Sequence, residues 1–149
     1  MGTLKADHTA RVMCGEEAAI VDDFGERYRS TSHQAALAVE RSVLGSDFGA
    51  SGYTTVDQVE QLMRLLPLGP GRRLLDIGAG CGWPALYLSI NTQCTVTATD
   101  LPLEGLCRAT ARATQEGIAE RVSVVRCSAR GLPFGQQAFD VIVHSDVLC

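Results

Sequence analysis

The chain has 149 residues, with 13 Lys+Arg against 17 Asp+Glu, a formal net charge of −4 and an isoelectric point near 5.3. Its length makes one domain the default, and 46% hydrophobic with 20% charged residues is the balance of a folded, soluble protein with little disorder. An acidic chain without a Lys/Arg run argues against a general electrostatic grip on nucleic acid or an anionic membrane. No apolar run approaches the roughly 20 residues that a bilayer span needs. Lys5, Asp7, His8 and Arg11 precede any apolar stretch, so a secretory signal is not expected. Cys14, Cys81, Cys94, Cys107, Cys127 and Cys149 form no C-x-x-C pair, and several sit in apolar runs. They read as small core residues in a reducing cytoplasm rather than as a disulfide framework or a zinc site.

From Ala10 to Tyr28 a loosely helical pattern places Val12, Ala18, Ala19, Val21 and Phe24 among acids. A second helix is predicted from about Ser32, with Ala35, Ala36, Val39 and Val43 as its apolar stripe, Glu40 and Arg41 facing outward, and Gly45 as its stop. Residues 45–52 are rich in turn formers and read as a loop. Thr55 is placed to cap a helix carrying Val56, Val59, Leu62, Met63 and Leu66, which Pro67 and Gly69-Pro70-Gly71 end.

Beyond Gly71 strands and helices alternate. Strands are expected at Arg72 to Ile77, Cys94 to Thr99, Val122 to Cys127 and Phe139 to Val143, with helices at Trp83 to Ile90 and Leu103 to Gly117. This alternation specifies an α/β parallel sheet, preceded here by a helical N-terminal extension. The chain stops at Cys149, soon after the fourth strand, so the sheet is expected to be incomplete and the sequence a fragment of a longer protein. An exposed sheet edge would also offer a route to self-association.

The segment Leu74-Leu-Asp76-Ile-Gly78-Ala-Gly80-Cys-Gly82-Trp-Pro84 runs a strand into three alternate glycines and then a helix, for which Pro84 suits the first turn. Glycines there allow a tight turn and a close ligand approach at the carboxyl end of a strand, where open α/β sheets bind ligands. A P-loop would end in Gly-Lys-Ser/Thr, yet no lysine follows Lys5. The dinucleotide fingerprint G-x-G-x-x-G would need glycine where Trp83 stands. Asp76, two residues before the first glycine, suits a ligand with an ammonium group. Asp100, at the end of the second strand, suits the two hydroxyls of a ribose, with Leu101 beside it to pack on the base.

On these residues, from Thr54 onward, the chain resembles the class I S-adenosylmethionine-dependent methyltransferases. Asp76 to Gly82 matches the family's D/E-x-G-x-G-x-G signature, Asp100 its ribose-binding acid, and Ala129 to Phe134 with Phe139 to Val143 its later motifs. The resemblance implies a doubly wound, Rossmann-like parallel sheet, here of about four strands, with S-adenosyl-L-methionine as cofactor and a small organic molecule as methyl acceptor. It places Gly78 and Gly80 along the methionine moiety, Asp100 at the ribose, Ser128 and Ala129 at the adenine edge, and His144 and Ser145 near the sulfonium, with Asp76, Ala79, Cys81, Gly82 and Leu101 as further cofactor-binding residues. Ser128 departs from the acid that the family usually carries before that alanine. Residues 1–53 are then a helical extension and cofactor lid, and residues 54–149 the cofactor-binding core.

Tyr53, in the Gly49 to Thr55 loop, and His144, after the fourth strand, are the candidate catalytic residues, Tyr53 to shield the sulfonium or touch the acceptor and His144 as a general base. Plainer readings stand beside these: Asp100 as a helix cap, His144 as a hydrogen-bonded wall residue, Tyr53 as a packing aromatic and Cys81 as a small tolerated side chain. Asp146 is left without a role. The sequence of the stretch His144 to Leu148 lacks the N/D-P-P-Y/F run of adenine-N6 methyltransferases. Two alternatives remain: a non-catalytic fragment that keeps the cofactor pocket, and a nicotinamide-dinucleotide oxidoreductase, which Trp83 opposes.

Overall fold

A computed structural model describes residues 13–31, 33–50 and 52–147. Three helices come first, α1 (Gly15–Ser30), α2 (Gln34–Leu44) and α3 (Val56–Leu65). They are followed by β1 (Arg73–Ile77), α4 (Ala85–Thr92), β2 (Thr95–Asp100), α5 (Leu103–Gln115), β3 (Val122–Arg126) and β4 (Val141–Val143), with a short 3-10 turn at Ala119–Arg121. All strand pairs are parallel, in the order β3-β2-β1-β4. The chain winds outward from β1 through β2 to β3 and then returns to the other side of β1. The order therefore reverses between β1 and β4, and a crevice opens at the carboxyl ends of those strands.

β1 lies inside the sheet, which is why Leu74, Leu75 and Asp76 are buried in succession, whereas in β2 buried Val96 and Ala98 alternate with exposed Thr95 and half-buried Thr97 before Thr99 is buried as well. Leu74, Val96 and Ala98 join Leu86, Leu88, Ala109, Ala113, Val141 and Val143 in one core. α5 packs on β2 and β3 and also meets α1, while α4 packs on β2 and α3. The alternation of strands and helices thus leads to the expected doubly wound sheet, with β3 and β4 at its edges.

Thr55 caps α3 as expected, its hydroxyl accepting from the Gln58 N–H while the Gln58 side chain accepts from the Thr55 N–H. Gly45 closes α2 in the left-handed conformation. α4 begins at Ala85, so Pro84 is its N-cap rather than a residue of its first turn. Ala10 to Val12 of the first expected helix, Ser32, and the final two residues lie outside the described residues.

α2 overturns the expected apolar stripe. Val39 and Val43 are 63% and 66% exposed, whereas Glu40 is 9% exposed and turned inward with Leu44. The reason lies in the following loop, whose polar groups need an acceptor: Glu40 Oε2 accepts from the Gly49 N–H at 2.8 Å and Oε1 from the Ser46 hydroxyl at 3.2 Å. Buried donors decide the rotation of the helix, because leaving them unpaired costs more than exposing two valines. Glu40→Ala is therefore expected to lower stability by about 1–3 kcal/mol in denaturant unfolding, while Val39→Ser changes it by less than about 0.5 kcal/mol.

The last buried position of β1 is an acid. Asp76 is 1% exposed, and neither of its carboxylate oxygens has a hydrogen-bond partner among the described residues. Burial first, then the neighbouring charge of Asp100, push its pKa well above the ordinary value, and the Ala85 amide at the head of α4 offsets this only in part, short of hydrogen-bond geometry. Because the folded protein holds this proton more tightly than the unfolded chain, the group's contribution to stability is fully present below the unfolded pKa, about 4, and is lost as pH rises from there through the raised folded value. Asp76→Asn is expected to remove this dependence. Across that window its stability relative to wild type should climb by up to about 1.4 kcal/mol per pH unit, measured by urea unfolding at a series of pH values without ligand.

Candidate cofactor site

The turn after β1 is built by its backbone. The Gly78 and Ala79 N–H groups both donate to the Thr99 carbonyl, at 2.8 and 2.9 Å, which draws the turn against the end of β2. Gly78 and Gly80 hold φ of 72° and 52°, a region costly for any residue with a Cβ. Both are also crowded: a Cβ on Gly78 would stand 2.5 Å from Val147 Cγ2, and one on Gly80 would stand 2.9 Å from the Tyr28 hydroxyl.

Asp100 stands beside this turn. Its Oδ2 accepts from the Gly80 N–H at 2.7 Å and from the Tyr28 hydroxyl at 3.2 Å, and its Oδ1 accepts from the Leu101 N–H at 2.7 Å. Burial raises its pKa, and these three donors pull the other way. A carboxylate offers about four acceptor positions, so these donors leave about one open toward a ligand.

A cavity of about 410 Å³ opens over the turn at the carboxyl ends of β1, β2 and β4. Gly78, Ala79, Gly80, Cys81, Asp100 and Ser145, all expected from the sequence, line it together with Tyr53. Tyr53 is 83% exposed, so it stands at the mouth. Cys81 is buried, and burial pushes its thiol up to about 11, which keeps it neutral and unreactive at physiological pH.

Other expected residues lie apart from the cavity wall. Asp76 sits behind the glycine turn, and Gly82 turns toward Leu86 and Ala109 at the start of α4. Leu101 is half-buried beyond Asp100, with its carbonyl accepting from Arg126 Nε. The Ser128 hydroxyl accepts from the Arg130 N–H at 3.2 Å in a local turn, and Ala129 is exposed. His144 is exposed because side chains along β4 alternate: Val141 and Val143 face the core, and His144 continues the exposed side of Ile142.

The sequence reading missed the contribution of α1, which brings Ile20, Phe24, Arg27 and Tyr28 to the wall. Tyr28 is buried against the glycine turn, and Arg108 of α5 secures it by donating to the Tyr28 carbonyl and, at 2.9 Å, to the Thr31 hydroxyl. Trp83 also lines the cavity. Its ring lies 5.4 Å from Phe48 and 5.5 Å from Tyr87, and its indole N–H donates to the Thr54 carbonyl at 2.9 Å. Asp146 and Val147 complete the far wall. No motif spacing marks the α1 residues, since they reach the cavity through packing on α5.

These residues fit the cofactor that the sequence motifs imply. The volume lies in the range of small-molecule sites, about 300–1,000 Å³. Asp100 offers acceptor capacity to hydroxyls, and the unpartnered Asp76 behind the turn adds a second carboxylate whose charged form a cationic ligand would favour. Among the described residues no group of His, Cys, Asp and Glu is arranged to hold a metal ion, and no helix is long and apolar enough to cross a membrane.

A family model described as a methyltransferase domain matches residues 74–149. The chain is similar to the methyltransferase GfsG of Streptomyces halstedii, 36% identical over 83 residues, covering 56% of this chain and 30% of that protein. It is similar also to the 27-O-demethylrifamycin SV methyltransferase of Amycolatopsis mediterranei, 34% identical over 88 residues, covering 59% of this chain and 32% of that protein. The chain thus spans about a third of the length of these curated relatives. Among solved structures, a phosphoethanolamine N-methyltransferase of Haemonchus contortus, bound to phosphomonomethylethanolamine and S-adenosylhomocysteine, superposes with a TM-score of 0.62 at 26% identity, covering 83% of this chain and 29% of that one. With the sheet order, the glycine turn and Asp100 in agreement, the chain belongs to the class I S-adenosylmethionine-dependent methyltransferases, and its cofactor is S-adenosyl-L-methionine.

Proposed function

We propose that the protein transfers a methyl group from S-adenosyl-L-methionine to a nucleophile on a small organic acceptor, in the cavity over the glycine turn. The observation that carries this reading is the composition of the wall, where Asp100 against the glycine turn meets apolar and aromatic side chains, Ile20, Phe24, Tyr53 and Val147. Such a wall can orient a polar cofactor and accept a partly apolar acceptor beside it. Two similar proteins support a small acceptor, one named for 27-O-demethylrifamycin SV and one holding phosphomonomethylethanolamine. In this reading residues 1–53 are a helical extension and lid, and residues 54–149 the cofactor-binding core.

Bound there, the cofactor supplies a methyl group on a cationic sulfonium, so no protein nucleophile is required. Asp100 accepts from the ribose hydroxyls; a diol needs two acceptor positions, and Tyr28 yields its own to provide the second. Ser128 and Ala129, next to the Cys127 N–H that donates to the Asp100 carbonyl, offer contacts to the adenine edge, with Leu101 beside the base. Gly78, Ala79, Gly80 and Cys81 bring the backbone close to the methionine moiety, and Ser145 lies on the sulfonium side. Tyr53 and Trp83 exclude water and hold acceptor and methyl in line. A base is needed only for an alcohol, phenol or protonated amine; Tyr53 at the mouth is the first candidate and His144 the second.

Calorimetric titration of the chain tests the cofactor half of this reading. S-adenosylmethionine and S-adenosylhomocysteine are expected to bind and NADH to leave no heat, whereas a folded sample that binds neither adenosyl ligand would sink the proposal. Asp100→Asn, which loses a charged acceptor, is expected to weaken S-adenosylhomocysteine by about 10- to 100-fold. The acceptor half is tested by release of S-adenosylhomocysteine across small phenols, alcohols and amines. Tyr53→Ala is expected to cut turnover at least a hundredfold while cofactor affinity falls by no more than about tenfold, and His144→Ala to cut turnover less.

A further inference from the structure

Asp146 belongs to no motif, yet it joins two walls of the cavity. It follows β4 in the left-handed conformation, with φ 56°, and its Oδ2 accepts from the Tyr53 N–H and from the Thr54 hydroxyl, each at 3.1 Å. These contacts bridge 93 and 92 positions of sequence, so they tie the end of β4 to the segment ahead of α3. The same segment is fastened on its other side, where the Thr54 carbonyl accepts from the indole N–H of Trp83, just past the glycine turn. Gly52 shows how tightly the carboxylate sits: a Cβ there would lie 2.0 Å from Asp146 Oδ2 and 2.8 Å from Asp146 Cβ, so the whole residue would have to move. Gly52, Tyr53, Trp83 and Asp146 all line the cavity.

We propose that Asp146 is a positioning residue that holds residues 52–55 across the mouth of the cofactor cavity, so that Tyr53 and Trp83 stand against the bound cofactor. The proposal rests on the reading of this cavity as the S-adenosylmethionine site. A carboxylate suits the task because one oxygen can accept from a backbone amide and a hydroxyl together, and charge-assisted bonds of this kind are stronger than neutral ones. The contacts are exposed enough to break and reform as ligand enters and leaves. Asp146 touches no reacting atom in this role; it acts through the segment it holds.

Trp83 is the single tryptophan of the chain, so its emission reports on this segment and on ligand in the cavity. The test titrates S-adenosylhomocysteine into wild type, Asp146→Ala, Asp146→Asn and Gly52→Ala, reading Trp83 emission at equilibrium and by stopped flow, with far-UV circular dichroism and the unfolding midpoint alongside. Asp146→Ala is expected to red-shift the ligand-free emission and weaken binding about tenfold, chiefly through faster dissociation, with the fold and midpoint retained. Asp146→Asn keeps a carbonyl acceptor and is expected to recover most of the affinity, and Gly52→Ala to reproduce the loss without touching the carboxylate chemically. Wild-type affinity, dissociation rate and emission in Asp146→Ala would overturn the proposal, as would a loss confined to the unfolding midpoint. A wild-type chain that binds no S-adenosylhomocysteine would overturn the cofactor-site reading as well, leaving Asp146 a tie between two loops; the wild-type titration therefore separates the two failures.

Discussion

Everything at the carboxyl end of this sheet is organised around one carboxylate. Asp100 ends β2, the strand beside β1, and from there it draws in the Gly80 amide of the turn and the Tyr28 hydroxyl of α1. Without an acceptor at that place the turn would lose one of the bonds that shape it, and α1 would lose its polar anchor in the site. The residues around Tyr28 then become intelligible. Arg108 fixes the carbonyl at the end of α1, and Gly105 lacks a side chain because a Cβ there would meet the Gly80 carbonyl at 2.7 Å and the Tyr28 ring at 2.9 Å. The ring thus fills a slot between two backbone segments that only small residues leave open.

Gathering polar groups for a ligand has a cost in the ligand-free protein. Asp76 is buried with no hydrogen-bond partner among the described residues and Asp100 stands half-buried nearby, so burial and the charge of Asp100 both disfavour an Asp76 anion, and desolvation also raises Asp100. A core built only for stability would place an apolar residue at the end of β1, as at Leu74 and Leu75 before it. In the proposed function the acid there answers to a cationic group of the ligand, which is the usual relation between a functional constellation and the stability of its scaffold.

The outer half of the site is held differently. Its walls come from loops and from α1, joined by long-range hydrogen bonds rather than by sheet pairing: Trp83 to Thr54, Tyr53 and Thr54 to Asp146, and Tyr28 to Asp100. Such bonds are few, and the two that end on Asp146 are exposed, so this half can rearrange while the strands stay in register. The rigid part of the molecule therefore presents the glycine turn, and the more adjustable part forms the mouth of the cavity, where the proposed function has an acceptor enter.

Much of this was legible before any coordinates. The alternation of strands and helices specified a parallel sheet, the capping box at Thr55 and the glycine at position 45 marked helix ends, and the glycines after Asp76 with Asp100 twenty-four residues on marked the ligand end of the sheet, because each is a local signal read over a few residues. Helix rotation was not legible: α2 carries an apolar stripe at the right spacing, but the loop after it needed the Glu40 carboxylate, and that need arises only once Ser46 and Gly49 are folded against it. Nor could spacing reveal Tyr28, Trp83 or Asp146 as wall residues, since their partners stand 72, 29 and 93 positions away. The sequence by itself determined the sheet, the glycine turn and the acids at two strand ends, because backbone conformation and periodic burial are local in origin. Which loops close over that turn, and which side chains face one another across it, was decided only by the tertiary structure, where chain segments distant in sequence compete for the same hydrogen-bond partners and the same space.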